Sequence, residues 1–217
     1  MSYDLIIVSK SMPATIPVTQ RCIDSARAEG GVYVILIETG NPYKYPGVNK
    51  FIEYNGQFNY NRALNMGLKY AKSDIHILAN NDVLFQKGWS RMGDFMKANG
   101  YHSASAVTAR QMLPKGMVYE GYQVGKVLLG WCIFCDDYVL QKIGKLDESV
   151  SFWYSDNLYG AQLKAEGIAH ALFTDCTVDH VGSFTLKKHP VRTQRHLALD
   201  ERHIYNERIR YYDTRNR

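Results

Sequence analysis

No stretch of this 217-residue chain approaches the ~20 consecutive apolar residues of a membrane-spanning helix. The first apolar run, Leu5–Val8, is short and flanked by Asp4 and Lys10. That is unlike a secretory leader, so the expected compartment is the cytoplasm. Cysteine is sparse, with four residues: Cys22, Cys132, Cys135 and Cys176. Cys132 and Cys135 form a single Cys-x-x-C inside the apolar run WCIFC. Residues three apart on a strand point to opposite faces, and no second pair exists to complete a zinc site. Buried free thiols are expected in place of a disulfide framework. The SKSMPAT segment after the first strand (9–15) has no glycine. A nucleotidyltransferase needs a glycine-rich loop there to cradle a triphosphate, so that class ranks low. Repeats are absent, and no linker precedes about residue 183.

The body of the chain has no excess of charge of either sign. Residues 1–185 hold seventeen basic and seventeen acidic side chains, whereas residues 186–217 hold nine against four, which is the whole net charge of +5. The composition, 46% hydrophobic and 22% charged, is that of a globular protein long enough to bury a core. Sixteen tyrosines are many for this length and suit polar clefts, where the ring packs and the hydroxyl bonds.

Strand and helix signals alternate, which predicts an α/β fold with a mostly parallel sheet. Strands are expected at Tyr3–Val8, Val32–Ile37, Lys50–Tyr54, Ile75–Ala79, Ser103–Thr108, Leu128–Cys135, Ala169–Phe173 and Thr177–His180. Helices are expected at Pro17–Ala28, Phe58–Ala71, Lys87–Ala98, Tyr138–Ile143 and Tyr154–Glu166. Pro114–Lys126, with little periodicity, reads as a loop over the site.

Ligands of α/β sheets bind at the carboxyl ends of the strands. Ser9, Glu38, Asn80, Asn81 and Asp82 all fall there. Asp82 is the strongest candidate: Asn80 and Asn81 precede it, and none of the three suits a buried strand interior. A carboxylate in that position can hold a divalent cation against a phosphate-bearing ligand; an Asx cap is the plainer reading. Glu38 can accept from a base or ribose, or can be a solvated loop acid. Asn61 and Asn65 lie one helical turn apart beside Arg62, placed to read a nucleotide or to cap the helix. His180 follows the last strand, and its imidazole suits Mn²⁺, while oxygen ligands suit Mg²⁺ better. Asp156, after the aromatic run that includes Trp153, heads a helix and is the candidate proton acceptor.

Taken in order, these pieces resemble the family 2 glycosyltransferases, which have the GT-A fold. FNYNRALNMGLKYAKSDIHILANNDVLFQKGW resembles their nucleotide-binding helix and metal-binding strand end. GWCIFCDDYVLQKIGKLDESVSFWYSDNLYGAQLKAEG resembles their acceptor-side segment, and VDHVGSFT resembles the segment that follows. The resemblance covers most of residues 3–185, read as one domain with residues 186–217 as a basic helical extension. It implies an inverting hexosyl- or pentosyltransferase using a nucleoside-diphosphate sugar and Mn²⁺ or Mg²⁺. Asp82 then matches the metal-binding aspartate, with Asn80 where that motif often has its first acid. His180 matches the histidine near metal and diphosphate, and Asp156 the catalytic base. Glu38 matches the nucleotide-contacting acid, and Trp131, with Trp153, lies where the acceptor and sugar pocket is lined. Ser155, Leu158 and Gln162 depart from the family pattern, so the acceptor pocket is expected to be its own.

The tail, 190–212, can form an amphipathic helix with Leu197, Ile204, Ile209 and Tyr212 near one side. Packing on the body is the plainer expectation. The alternatives are an anionic partner such as a nucleic acid or a glycan, with Tyr205, Tyr211 and Tyr212 interleaved among basic residues. A hydroxylated base of DNA as acceptor, or a non-catalytic nucleotide-binding module, are the rival functions.

Overall fold

The computed structural model describes residues 1–182 and 191–215, with side chains of the last helix from residue 198 onward. In chain order the elements are β1 (Tyr3–Ser9), α1 (Ile16–Arg27), β2 (Val32–Glu38), β3 (Lys50–Glu53), α2 (Tyr60–Leu68), β4 (Ile75–Asn80), β5 (Val83–Phe85) and α3 (Arg91–Asn99). They continue as β6 (Ser103–Val107), β7 (Val118–Glu120), β8 (Cys132–Asp136), α4 (Asp137–Ile143), α5 (Ser155–Ala165), β9 (His170–His180) and α6 (Val191–Arg215).

The sheet order is β3-β2-β1-β4-β8-β6-β9-β5, with β7 also paired to β9. Strands β3, β2, β1 and β4 are parallel neighbours. Between β4 and β6, β8 runs antiparallel to both. Strands β6 and β9 are parallel, and β5 and β7 pair antiparallel with β9. The fold is therefore mixed α/β with a mostly parallel sheet, as the alternation predicts.

Strand β1 is buried along its whole length, the mark of a parallel strand covered on both faces. Its alternate residues feed two cores. Leu5 and Ile7 pack with Cys22, Ile23, Trp89 and Phe134, while Ile6 and Val8 pack with Ala63, Leu64, Tyr159 and Leu163. The same period of two puts Cys132 in the first core and Cys135 in the second, and all four cysteines are buried and free. Helix α2 lies close on the sheet because of Gly67: a Cβ there would stand 2.6 Å from Ile6 Cγ2 and 2.8 Å from Ile37 Cδ1.

Several sequence expectations change in detail. The expected strand Leu128–Cys135 begins only at Cys132, because Leu128 and Leu129 belong to a turn whose amides bond Gln123 O and Ser105 Oγ. The loop 114–126 contains β7, held by pairing with β9. The two expected final strands are one continuous β9, which crosses a register shift opposite Ala106/Val107. Strand β5 escapes a sequence reading, since three residues give no period to detect.

The ion cluster under the sheet has a pH consequence. Asp4, fully buried, accepts from Lys72 N and Ser73 N (2.7 Å each), and lies 3.1 Å from His76 Nδ1. His76 Nε2 is 2.8 Å from Asp137 Oδ1. Burial alone would lower the His76 value, but its bonds with the two carboxylates more than offset this and raise it. Burial likewise acts against ionisation of Asp4, yet the His76 and backbone bonds lower its value overall. The raised histidine stabilises fully below its ordinary value near 6.5, and that contribution is lost as pH rises through the raised value. The lowered Asp4 contributes above its ordinary value and fails as pH falls through the lowered one. Stability is expected to peak in mildly acidic solution and to fall above about pH 6.5. In His76→Gln the alkaline decline should be absent from urea unfolding followed against pH.

Helix α6 packs on α5. Ile204, Tyr205, Ile209 and Tyr212 meet Val150, Leu158 and Ala161. The plainer reading of the tail is the structural one, and the rings of Tyr205 and Tyr212 are withdrawn from any nucleic-acid surface. Leu197, together with His189, lies outside the described side chains. Among the described residues no helix is long and apolar enough to cross a membrane.

Candidate active site

The register of a short strand pair assembles the first half of the site. Val83 of β5 stands opposite His180 of β9, and Val181 N donates to Asp82 O at 3.0 Å. This brings His180 Nε2 within 3.0 Å of Asp82 Oδ1, a carboxylate that is almost wholly buried. The contact is an ion pair, and the buried Nε2 has no hydrogen-bond partner among the described residues. Trp131 stacks on the imidazole, with centroids 5.5 Å apart and planes 7° from parallel, while its carbonyl accepts from Asn80 N at 2.9 Å. The ring of His180 is therefore held by stacking against Trp131 and by its contact with Asp82.

A carboxylate oxygen and an imidazole nitrogen 3.0 Å apart fit two adjacent positions of an octahedral cation. Bonds of about 2.1 Å at right angles put neighbouring ligands about 3 Å apart. No group of three or more His, Cys, Asp or Glu residues converges for a metal among the described residues. A cation here would keep open positions, as one shared with a phosphate-bearing ligand does.

The strand ends beside this pair form a row: Ser9 is opposite Glu38, and Val8 is opposite Asn80. Glu38 is buried and accepts from Ser11 N (2.8 Å), Ser11 Oγ (2.5 Å) and Gly40 N (2.8 Å). Ser9 Oγ lies 3.5 Å from Thr19 Oγ1 and 3.4 Å from Tyr45 Oη. Asn81 Nδ2 donates to Thr19 Oγ1 at 2.8 Å. These side chains shape the loops after β1 and β2. Asn61 and Asn65 have partners elsewhere. Asn61 donates to Asp147 O (2.7 Å), and Asn65 bonds Leu146 and Glu148, which fastens α2 to the 144–149 turn.

Asp156 supplies the second half. It lies in the first turn of α5, half-buried, in a small cleft with Tyr60, Asn61, Gly130 and Tyr159. Burial pushes its carboxyl above the usual carboxylate range, a shift its bond from Asn157 N (2.9 Å) only reduces. The helix is anchored from below by Tyr159, whose hydroxyl is 2.7 Å from Ser103 Oγ. That serine also bonds His170, a histidine that burial pushes down to about 3 and so keeps neutral. Tyr60 links the two halves. Its hydroxyl donates to Asn80 Oδ1 at 2.9 Å, and its ionisation is opposed by burial and then by the charges of Asp82, Cys132 and Asp156.

Gly130 makes room for the carboxyl. A Cβ at this position would overlap the Cβ and Oδ2 of Asp156. Gly130→Ala should therefore displace Asp156 and reduce turnover about 10²-fold, the usual cost of misplacing a reacting group by about 1 Å. A steady-state assay beside a thermal melt checks it; full activity in the variant would show that Asp156 moves aside harmlessly.

Trp153 lies just before this helix, its ring edge-on to Phe152 at 5.6 Å. Sequence reasoning did not single out Tyr60, Gly130, Tyr154 or Thr19. Gly130 had the clearest signal, a glycine before an aromatic and a strand, but its partner 26 residues on is set only by the fold.

No family model and no curated protein sequence matches this chain. Its fold does match solved structures. Residues 1–349 of S. aureus TarS superpose with a TM-score of 0.62 at 11% identity, covering 82% of this chain and 59% of that one. A longer TarS structure gives 0.62 at 12%, with 36% of its chain covered. The mannosyltransferase PcManGT from Pyrobaculum calidifontis, in complex with GDP-Man and Mn²⁺, gives 0.62 at 12%, over 84% of this chain and 58% of that one. At such identities the likeness shows the fold alone: this chain shares the mixed α/β fold of these structures. It spans less than two thirds of the length of each of these three.

Proposed function

We propose that this protein is a family 2-type, inverting glycosyltransferase that takes its sugar from a nucleoside-diphosphate donor with the aid of Mn²⁺ or Mg²⁺. The observation that carries the reading is the pairing of Asp82 with His180 Nε2 at a strand end, 3.0 Å apart, with a desolvated Asp156 beyond Tyr60, whose ionisation both carboxylates oppose. The fold class agrees with it, and the Pyrobaculum mannosyltransferase binds GDP-Man and Mn²⁺ within that fold.

Asp82 and His180 are the residues that would hold the cation. When bound, it would offset charge on the departing diphosphate. Trp131 keeps His180 from turning away. Asp156 accepts the proton of the acceptor hydroxyl as that oxygen attacks the anomeric carbon and the bond to diphosphate breaks on the opposite face. Its raised value suits the task, since a base closer to the operating pH takes a proton more readily. Turnover should then increase with pH through the raised Asp156 value, because the ionised form is the active one.

The test is thermal stabilisation by a panel of UDP-, dTDP-, GDP- and CMP-sugars, with and without Mn²⁺. A donor at ~100 times its dissociation constant adds ~2.7 kcal/mol. A metal-dependent response to one nucleotide class is expected. No response to any donor would overturn the reading.

A further inference from the structure

The peptide that precedes Asp156 is held in an unfavourable shape. Tyr154 has φ 64° and ψ 7°, and it has the one left-handed backbone of a non-glycine residue among the described residues. For a bulky side chain this conformation costs energy and persists only where the surroundings impose it. Its carbonyl accepts the first helical bond of α5, from Leu158 N at 2.9 Å, so the angle at Tyr154 aims the turn that carries Asp156.

The surroundings that impose it come from α6. The Tyr205 ring lies on the Tyr154 ring, with centroids 4.6 Å apart and planes 12° from parallel. One turn earlier, Glu201 accepts from Ser151 N (2.5 Å), from Ser151 Oγ and from Phe152 N (3.3 Å). Further on, Arg208 Nε and Tyr212 Oη both reach Asp147 Oδ2 at 2.7 Å. Residues 201, 205, 208 and 212 recur at helical spacing on one face, while Arg202, His203, Asn206 and Arg210 are exposed. The contacts also reach the other half of the site. Ser151 O accepts from Tyr60 N at 2.7 Å, and Tyr60 bonds Asn80 at the end of β4. Tyr205 is near enough to Asp156 that, after burial and Tyr154, the Asp156 charge opposes its ionisation.

We propose that α6 is a positioning element of the active site, in which Tyr205 and Glu201 hold the 151–154 peptide so that Asp156 is aimed at the acceptor. The proposal rests on the glycosyl-transfer reading for its catalytic consequence, but its structural half can be measured without turnover. It also gives the tail a role distinct from that of a basic arm: its task lies on the face turned to the body.

The experiment compares full-length wild type, Tyr205→Ala, Tyr205→Phe and Glu201→Ala. Hydrogen exchange of the Leu158 amide is measured by NMR, and nucleoside diphosphate release is followed with the donor that stabilises the protein. In Tyr205→Ala, kcat should fall about 10²-fold with the donor KM unchanged, as for a misaimed reacting group. Leu158 exchange should quicken about tenfold while β1 and β4 amides keep their protection, the signature of local opening. Tyr205→Phe keeps the stacking ring and should restore both readings; Glu201→Ala should move both in the same direction as Tyr205→Ala, and decides the matter should that variant not fold. A lower melting temperature with normal kcat and normal Leu158 exchange would overturn the proposal. Wild type that releases no nucleoside diphosphate, with Leu158 exchange still responding to Tyr205→Ala, would instead remove the glycosyl-transfer reading and leave the brace standing.

Discussion

Asp156→Asn is expected to lower turnover by about 10²–10⁴-fold, the usual contribution of a general base. The same variant should melt at a higher temperature than wild type at pH 7–8. The sign follows from burial, which raises the Asp156 value in the folded protein. A raised acid stabilises fully below its ordinary value and loses that contribution as pH rises through the raised one. At neutral pH the ionised Asp156 therefore weakens the fold, and a neutral amide of the same size relieves this. Below about pH 3.9 the carboxyl is protonated in both states, and the melting advantage of the variant should vanish. Few substitutions both abolish activity and stabilise; those that do mark a group kept in an unfavourable state for its chemistry. Near-normal turnover in Asp156→Asn would exclude it as the base.

Asp82→Ala should remove the Mn²⁺-dependent part of donor stabilisation, up to ~2.7 kcal/mol at a donor concentration 100 times the dissociation constant. The loss should be one of binding and not of folding. Besides the His180 contact, Asp82 is tied to the last strand by its backbone carbonyl, which accepts from Val181 N at 3.0 Å, and alanine keeps that bond. Trp131→Ala should weaken the same response less, because it frees the His180 ring to turn without removing a ligand. Titrating MnCl₂ into each variant at fixed donor and recording the melting midpoint separates these outcomes. An Asp82→Ala protein that still shows the full metal-dependent shift would place the cation elsewhere.

How much of this was legible in the sequence varies with the range of the interaction. The strand at Ile75–Asn80 and its polar end announce themselves because a buried apolar run cannot continue through two asparagines and an aspartate. Asp82, His180 and Asp156 were each visible as polar residues at element ends. Their mutual placement was not, because it depends on β5, three residues long, pairing with β9 about a hundred residues later. Asn61 and Asn65 show the opposite outcome. Their spacing marks one helix face, but spacing cannot tell a ligand from the backbone of a turn over 80 residues away.

The sequence by itself determined the α/β class and the separation of Cys132 from Cys135, because each follows from local periodicity and strand geometry. It also marked the tail as the basic part of the chain by its charge and as an amphipathic helix by the spacing of its apolar residues. Only the tertiary structure decided that Glu38 ties two loops together and that Gly130 leaves room for Asp156. It alone showed that α6 lays Tyr205 on a strained Tyr154. Each of these depends on contacts between residues far apart in sequence, whose formation is governed by packing of the whole sheet and not by any local pattern.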